Sequence, residues 1–525
     1  MKTISSREAA ALLADGWTVS TSGFTGSGHP EGITTAIEKR FLESGRPRGL
    51  TLIYAAGQGD RDKRGTGRFG HAGLVKRIIG GHWGAAPRLG TLAVENKVEA
   101  YNWPQGVIAQ LYRAIAGGKP GVISQIGLHT FIDPRHDGGR LNACTTEQLV
   151  ELVTLRGEEY LLYPSMPIHC AILRTTSADA DGNLSMEEEP HFNDVLPLAQ
   201  AAHNSGGIVI AQVKRLKPAG AIHPMQVKVP GILVDYVVVA ENPEDHWQTY
   251  GEEFNPAYCG DKRLLNEKPK IIPLDLRKIV QRRAVFERLK WRHPSGREPV
   301  VNLGVGMSSG VGEVANEEGL SDFIMTVESG PIGGVPAQYP SFGASANPEA
   351  IISHAEMFDF YDGGGLDLTF LGLAEMDVLG NVNVSKFGDR IAGVGGFVNI
   401  TQTAKELVFM GSLTARGLEV QAGDGKLKIL REGTVKKVVP KVEHLSFNGA
   451  HSGRRGTKVL YITERAVFEM RGGKLTLTEV APGVDLERQV LAQLAAPVAV
   501  APDLKTMDTR IFTDAPMFAG NHNQD

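Results

Sequence analysis

The chain reads as an α/β protein built from two related halves, each an open, mostly parallel sheet flanked by helices. Three patterns carry that expectation. Short apolar runs are stopped by glycine loops that lead into helix-like stretches, the grammar of βα units. One such unit near the start recurs in the second half. A shorter turn pattern echoes in the same order, once per half.

In chain order, Ser5 or Ser6 is placed to cap a helix over residues 7–13, Gly16 closes it, and residues 17–20 begin a strand. The loop Ser22-Gly23-Phe24-Thr25-Gly26-Ser27-Gly28-His29-Pro30 follows, and residues 33–41 read as a helix. Residues 57–139, with GHAGLVKRIIGGHWGAA at 70–86 and Asn102-Trp103-Pro104-Gln105-Gly106, read as an insertion bearing on a substrate site. Asp181-Gly182-Asn183-Leu184-Ser185 gives the first copy of the short turn pattern. Residues 241–270, rich in Pro, Asn and charge, read as the connection, so the halves are expected at 1–270 and 271–525.

In the second half, Pro299-Val300-Val301-Asn302-Leu303 leads into Gly304-Val305-Gly306-Met307-Ser308-Ser309-Gly310 and a helix-like stretch at 311–318. The run Phe323-Ile324-Met325-Thr326-Val327 ends in Glu328 and breaks into Ser329-Gly330-Pro331-Ile332-Gly333-Gly334. Leu379-Gly380-Asn381-Val382-Asn383 is the second copy of the turn. Apolar runs at 366–373, 407–410, 459–462 and 466–470 alternate with turns, and residues 439–479 predict additional short strands.

With 42% hydrophobic and 22% charged residues, the composition is that of an ordinary globular protein. The 55 basic and 59 acidic residues are interspersed, so no broad field exists to hold nucleic acid or an anionic membrane. Cys144, Cys170 and Cys259 lack metal-ligand spacing, which points to a reducing compartment; cytoplasm is the expected address. No apolar run approaches the ~20 residues that span a bilayer. The 63 glycines in 525 residues exceed the usual ~7%, which implies many tight turns and backbone-lined loops.

Glu328 is the first candidate for chemistry. Ligands in open α/β sheets gather beyond the carboxyl ends of strands, although a Glu at a strand exit is also commonly a solvated rim residue. Gly304-x-Gly306, between a strand and a helix, resembles a dinucleotide-binding turn with Ser309 at the third glycine position; a tight turn without ligand is the alternative. The runs Asp362-Gly363-Gly364-Gly365 and Gly393-Val394-Gly395-Gly396-Phe397 expose backbone amides suited to an oxyanion, or form plain turns. The histidines, His29, His71, His82, His129, His169, His203 and His354 among them, show no helical zinc spacing, so no metal is expected. His29 is the one placed to touch a substrate, or simply to pack.

Taken together, the loop at 22–30, VESGPIGG at 327–334, SFGAS at 341–345, FYDGGGLDL at 360–368, GNVNVSKFG at 380–388 and GVGGF at 393–397 resemble family I coenzyme A transferases, of the single-chain propionate or acetate type. GGHWGAAP (80–87), YNWPQGV (101–107), GKPGVISQIGLHTFIDP (118–134) and LYITERAVFEM (460–470) extend the likeness over nearly the whole chain. The resemblance implies that Glu328 is the nucleophile, and that coenzyme A is substrate and covalent intermediate with no permanently bound cofactor. It places Gly395 and Gly396 as oxyanion amides, Gly304, Val305, Gly306, Met307 and Gly393 along the CoA path, and Gly26, Ser27, Gly28 and His29 in a substrate loop. It also implies acyl-CoA and short-chain carboxylic acids as partners and a homo-oligomer, dimer or tetramer. Trp83, Tyr101 and Trp103 are then pieces of a lid, or core packing. The chain departs from the family's Ser/Thr-Glu-Asn-Gly by carrying Val327-Glu328-Ser329-Gly330. The competing readings are an acyl-CoA hydrolase on the same scaffold and a nicotinamide-dependent oxidoreductase built on Gly304 and Glu328.

Overall fold

The chain forms two compact units, and the cut between them is not single. In the computed structural model, which describes residues 1–264, 271–293, 295–320 and 322–518, the first unit comprises 1–264, 327–362 and 385–399. The second comprises the described residues of 265–326, 363–384 and 400–525. The boundary expected at 270 falls at residues 265–270, outside the described residues. Glu328, expected in the second half, belongs with the first unit. The reason is burial: Val327 and Phe342 share an apolar cluster with Phe24 and Ala56, so this excursion is tied down by the first unit's core.

In the first unit, eight strands form a parallel path: β1 (Lys2–Thr3), β2 (Thr18–Thr21), β3 (Leu50–Tyr54), β4 (Val75–Gly80), β5 (Glu99–Asn102), β6 (Cys170–Asp179), β7 (Ile208–Lys217) and β8 (Tyr236–Val239). Their order is β1-β8-β7-β6-β2-β3-β4-β5, and each adjacent pair is parallel. All ten residues of β6 are buried, as a central parallel strand covered on both faces requires. Helix α1 (Ser6–Leu12) opens with a full capping box between Ser5 and Glu8 and packs on α2 (Glu31–Ser44). Helix α3 (Gln105–Ala116) packs on α4 (Val195–Asn204).

Two expectations are corrected here. Residues 57–139 are not an appendage: they supply strand β4 and the edge strand β5 of the same parallel sheet, and helix α3 of the first unit. Short apolar stretches such as Val75–Gly80 read as isolated pieces because their partners lie in other segments. Residues 241–264 are likewise no free connection, since Gln248 and Thr249 are buried and the Tyr250 N–H donates to the Gly26 carbonyl at 2.8 Å.

Strand order reverses between β2 and β6, so the loop after β2, residues 22–30, sits at the topological switch point where α/β sheets bind ligands.

The second unit repeats the plan. Strands β9 (Val300–Leu303), β10 (Ile324–Thr326), β11 (Leu368–Gly372), β12 (Glu406–Met410) and β13 (Lys458–Ile462) run parallel in the order β10-β9-β11-β12-β13. The expected short strands then add β14 (Ala466–Arg471) and β15 (Lys474–Val480) antiparallel, with β16 (Ala499–Thr506) beyond. Helices α5 (Leu276–Lys290) and α6 (Val311–Glu317) bury Ile279, Val280, Ala284, Val311 and Val314 against Val301, Phe370, Val408 and Leu460. The switch point lies between β9 and β11, where the Gly304–Met307 loop begins, its Gly304 N–H bonded to the Phe370 carbonyl at 2.8 Å.

The echoed turn is reproduced bond for bond. Asp179 Oδ1 accepts from the amides of Asp181 and Asn183, Asn183 Nδ2 donates to Asp179 Oδ2, and Asn183 Oδ1 takes the Gly231 N–H. Asp377 does the same for Leu379 and Asn381, and Asn381 Oδ1 takes the Gly449 N–H. Two units that share a parallel plan, a switch loop and this turn are structural repeats.

Candidate active site

Glu328 stands two residues beyond the end of β10, in a turn closed by Val327 N–H to the Pro331 carbonyl and Gly330 N–H to the Val327 carbonyl, both 3.0 Å. Gly330 has φ +129°, and a Cβ there would lie 2.0 Å from the Ile352 carbonyl oxygen, so only glycine makes the turn. The Ser329 hydroxyl donates to the Gly343 carbonyl at 2.5 Å and anchors the other side.

The carboxylate is 8% exposed, and its Oε2 is buried with no hydrogen-bond partner. Burial pushes its pKa up to about 7; its own backbone N–H and His354 oppose the rise. A buried, unpaired carboxylate is costly to keep, and such groups cluster at functional sites.

Aromatic rings pack beside this turn, where Val327 clusters with Phe24 and Phe342. Phe24 packs on Phe342, His191 and His354, with ring centroids 5.9, 5.8 and 6.0 Å apart, and His354 packs on Phe358 at 5.2 Å. A Cβ on Gly396 would lie 3.0 Å from Phe358 Cζ and 3.3 Å from Glu328 Cγ.

The GVGGF turn can be sorted amide by amide. Gly393 donates to the Ser385 carbonyl at 3.0 Å, Val394 to Asn102 Oδ1 at 2.9 Å and Gly395 to the Gly81 carbonyl at 2.7 Å. Gly396 N–H alone of these finds no protein acceptor among the described residues. The expectation for the pair is therefore corrected: Gly395 is committed to the scaffold, and Gly396 keeps the free donor. Gly393 is corrected too, because a Cβ on it would lie 2.9 Å from Trp83 and its N–H is spent; its glycine serves packing.

In the loop after β2, Gly26, Ser27, Gly28 and His29 are all buried. A Cβ on Gly26 would strike the Pro340 carbonyl oxygen at 2.5 Å, and one on Gly28 the Asn193 amide at 2.1 Å. Ser27 Oγ pairs with His191 Nε2 at 2.7 Å, and His29 satisfies both ring nitrogens on Gln58 and Thr34. The loop is a packed wall that presents Phe24, not an open flap, and His29 is a structural histidine. Trp83, Tyr101 and Trp103 are fully buried, with Trp83 Nε1 donating to the Gly80 carbonyl at 3.2 Å and Trp103 packed on Tyr163. They brace the first unit and form no lid.

In the second unit, Val305 and Gly306 are exposed, and the amides of Val305, Gly306 and Met307 have no protein acceptor among the described residues. Met307 returns its carbonyl to Gln281 Nε2 at 2.8 Å, which fixes the loop.

One constellation escaped sequence reasoning. Asp194 Oδ2 lies 2.9 Å from His354 Nδ1, and His354 Nε2 lies 2.9 Å from Gln105 Nε2, all three residues buried. His354 is one scattered histidine in the sequence and Asp194 lies 160 positions away, so no spacing announces the pair.

The fold and the site define a class: an α/β protein of two repeated units, each with a glycine loop at its switch point, and with a desolvated carboxylate against a glycine turn. Residues 3–240 match the family model described as Coenzyme A transferase. The chain is 45% identical to the caffeate CoA-transferase of Acetobacterium woodii, over 98% of each chain. It is 44% identical to the acetate CoA-transferase YdiF of Escherichia coli K12, over 98% of this chain and 96% of that one. The crystal structure of the E. coli O157:H7 acyl-CoA transferase (YdiF) apoenzyme superposes with a TM-score of 0.92 at 43% identity, covering 98% and 97% of the two chains. The thioester complex of that enzyme with CoA also matches at 0.92, with 42% identity over the same shares. The chain belongs to the family I coenzyme A transferases. That membership sets the nicotinamide reading aside.

Proposed function

We propose that the protein moves coenzyme A between a short-chain acyl-CoA, such as propionyl-CoA or acetyl-CoA, and a free carboxylic acid, by a ping-pong route through a thioester on Glu328. One observation carries the reading: a buried Glu328 carboxylate with an unpaired oxygen, set against the free N–H of Gly396.

The carboxylate attacks the acyl thioester carbonyl, and the tetrahedral oxyanion collapses to a glutamyl acyl anhydride with loss of CoA thiolate. The thiolate then attacks the Glu328 carbonyl, releasing the first acid and leaving glutamyl-CoA. An acceptor carboxylate attacks that thioester and expels CoA thiolate, which takes the new acyl group and frees Glu328. Nucleophile and acceptor both react as anions, so the steps call on no general base. Each passes through an oxyanion, for which a preorganised amide such as Gly396 N–H is worth about 3 kcal/mol. The free amides of Val305, Gly306 and Met307 fit the CoA path that the family likeness assigns them. The CoA thioester solved for the E. coli acyl-CoA transferase supports the covalent route. Phe358, which meets Gly396 beside Glu328, and the Phe24 and Phe342 rings clustered with the neighbouring Val327 favour a short acyl chain.

The test is intact-protein mass after mixing with propionyl-CoA and no acceptor, then borohydride reduction and peptide mapping. A CoA adduct that maps to Glu328 as a reduced side chain supports the proposal. An unmodified protein that consumes propionyl-CoA favours hydrolysis, and one that neither reacts nor hydrolyses overturns it.

A further inference from the structure

His82 stands two residues beyond the carboxyl end of β4, inside the GGHWG run that the proposed mechanism leaves unused. Its ring is bordered by glycines. A Cβ on Gly57 would lie 2.4 Å from Nδ1, one on Gly84 3.1 Å from Cε1 and 3.4 Å from Nε2, and one on Gly395 3.7 Å from Cδ2. Nδ1 is buried, and neither ring nitrogen has a protein partner among the described residues. Burial, with Arg61 and Arg390 nearby, holds the pKa down to about 4, so the imidazole is neutral and carries one proton. Nδ1 has no acceptor, and a buried N–H without one is rarer than an unused lone pair, so the proton belongs on Nε2. That donor lies between Gly84 and the Gly395 turn, one residue from the Gly396 that approaches Glu328.

Two cations act on the ring. Arg61, in the loop that leaves β3, the strand beside β4, holds φ +67°, a left-handed conformation uncommon outside glycine. Such strain persists where the surrounding structure imposes it, and it clusters at ligand sites. Here the Arg61 N–H donates to the Ala85 carbonyl at 3.0 Å, three residues past His82, and the guanidinium lies 4.1 Å from the centre of the Tyr339 ring. Arg390 comes from the hairpin that pairs Lys386 and Phe387 with Ile391 and Arg390. Both arginines are exposed, and neither makes an ion pair with a described residue. A neutral donor beside two unmatched positive charges suits a small anion. The transfer chemistry needs such a place: CoA has the Gly304–Met307 loop and the oxyanion has Gly396, but the acceptor acid enters as a free carboxylate with nothing yet to hold it.

We propose that His82 binds the acceptor carboxylate through its Nε2–H, with Arg61 and Arg390 supplying the positive field that draws the acid to it. This rests on the proposed CoA transfer at Glu328 and adds to it where the second substrate is held. A charge-assisted bond to one carboxylate oxygen orients the acid and leaves the other oxygen free to attack. The arrangement also separates the two substrates. An acyl-CoA is held by its CoA moiety, whereas a small monocarboxylate such as acetate has little besides its charge, so loss of His82 weighs chiefly on the acid.

The experiment preloads the enzyme with propionyl-CoA and follows the loss of glutamyl-CoA by quenched flow over a range of acetate concentrations. The variants are His82→Phe, His82→Gln and His82→Asn, each checked for native circular dichroism. His82→Phe is expected to raise the acetate concentration at half-maximal rate at least about tenfold, with KM for propionyl-CoA within about threefold. A Gln side chain carries its amide N–H to the place of Nε2, and an Asn only to that of Nδ1. His82→Gln is therefore expected to recover most of the loss and His82→Asn little, a distinction that a merely structural histidine would not make. Should His82→Phe not fold, Arg61→Gln at the exposed rim is read in the same way, with a rise of about threefold at low salt that shrinks at high salt. An unchanged acetate dependence in folded His82→Phe or in Arg61→Gln overturns the proposal, as does a His82→Gln no better than His82→Phe. A wild-type protein that forms no glutamyl-CoA would instead bring down the proposed function, so the two failures are distinguishable.

Discussion

Gly396 carries its backbone to within van der Waals reach of Glu328: a Cβ built on it would lie 3.3 Å from Glu328 Cγ. The approach brings the one amide of the GVGGF turn without a protein acceptor among the described residues close to a buried carboxylate with an unpaired oxygen.

Gly396→Ala tests that approach. Its φ is not in the left-handed region, so the backbone tolerates alanine, but the new methyl would press on Phe358 and on Glu328 at 3.0 and 3.3 Å. A shift of a few tenths of an ångström in the nucleophile is expected to lower kcat on the order of tenfold or more, with little change in thermal stability. Steady-state kinetics beside a melting curve check this, and an unchanged kcat would remove the turn from the mechanism.

Gly330→Ala is expected to behave in the opposite way. Its Cβ would fall 2.0 Å from the Ile352 carbonyl oxygen at φ +129°, a clash with backbone that no rotamer relieves. The expected outcome is loss of stability by several kcal/mol or failure to accumulate soluble protein. Soluble yield and denaturant midpoints read it; a variant as stable as the wild type would show that the turn is not as tight as described.

How much of this was legible in the sequence follows from what each feature depends on. Glu328 was legible because a strand exit and a glycine break are local signals. The paired Gly-Asn turns at 182–183 and 380–381 were legible as a local echo, whereas the Asp179 and Asp377 carboxylates that organise them, and the last bonds to Gly231 and Gly449, emerge only from the structure. Gly395 and Gly396 could not be told apart, since a backbone donor's availability depends on Gly81, a carbonyl more than 300 positions away that leaves no mark in the sequence. The return of residues 327–362 to the first unit was hidden for a similar reason: packing on Phe24 is a long-range contact. The Asp194–His354–Gln105 chain joins three segments, and only its geometry reveals it.

Glu328→Gln separates the carboxylate's cost from its use. The folded chain holds this proton up to about pH 7, whereas an unfolded glutamate releases it near pH 4.5. Between those values the folded state binds more protons than the unfolded, so stability falls as pH rises through the window and levels off above it. The full loss is about 3 kcal/mol at pH 8, from roughly 1.4 kcal/mol per pH unit. Glu328→Gln is therefore expected to melt a few degrees above the wild type at pH 8 and to lose that advantage by pH 5, while CoA transfer drops on the order of a thousandfold or more. Melting curves at the two pH values decide it: an advantage that persists at pH 5 would assign the gain to something other than ionisation.

The same ionisation governs rate. Attack needs the anion, and with a pKa near 7, set mainly by burial and eased by the residue's own N–H and by His354, half the free enzyme is active at neutral pH. The rate of glutamyl-CoA formation at subsaturating propionyl-CoA is expected to rise about tenfold per pH unit below 7 and to level off above about 8. An exposed glutamate would be fully ionised by pH 6, so the position of the bend reports the desolvation and not merely the presence of a carboxylate. Quenched-flow measurement of the adduct between pH 5.5 and 8.5 reads the bend directly. A profile already flat at pH 6 would mean that Glu328 reacts from a solvated state, and with it would fall the argument that burial beside Gly396 makes this carboxylate the nucleophile.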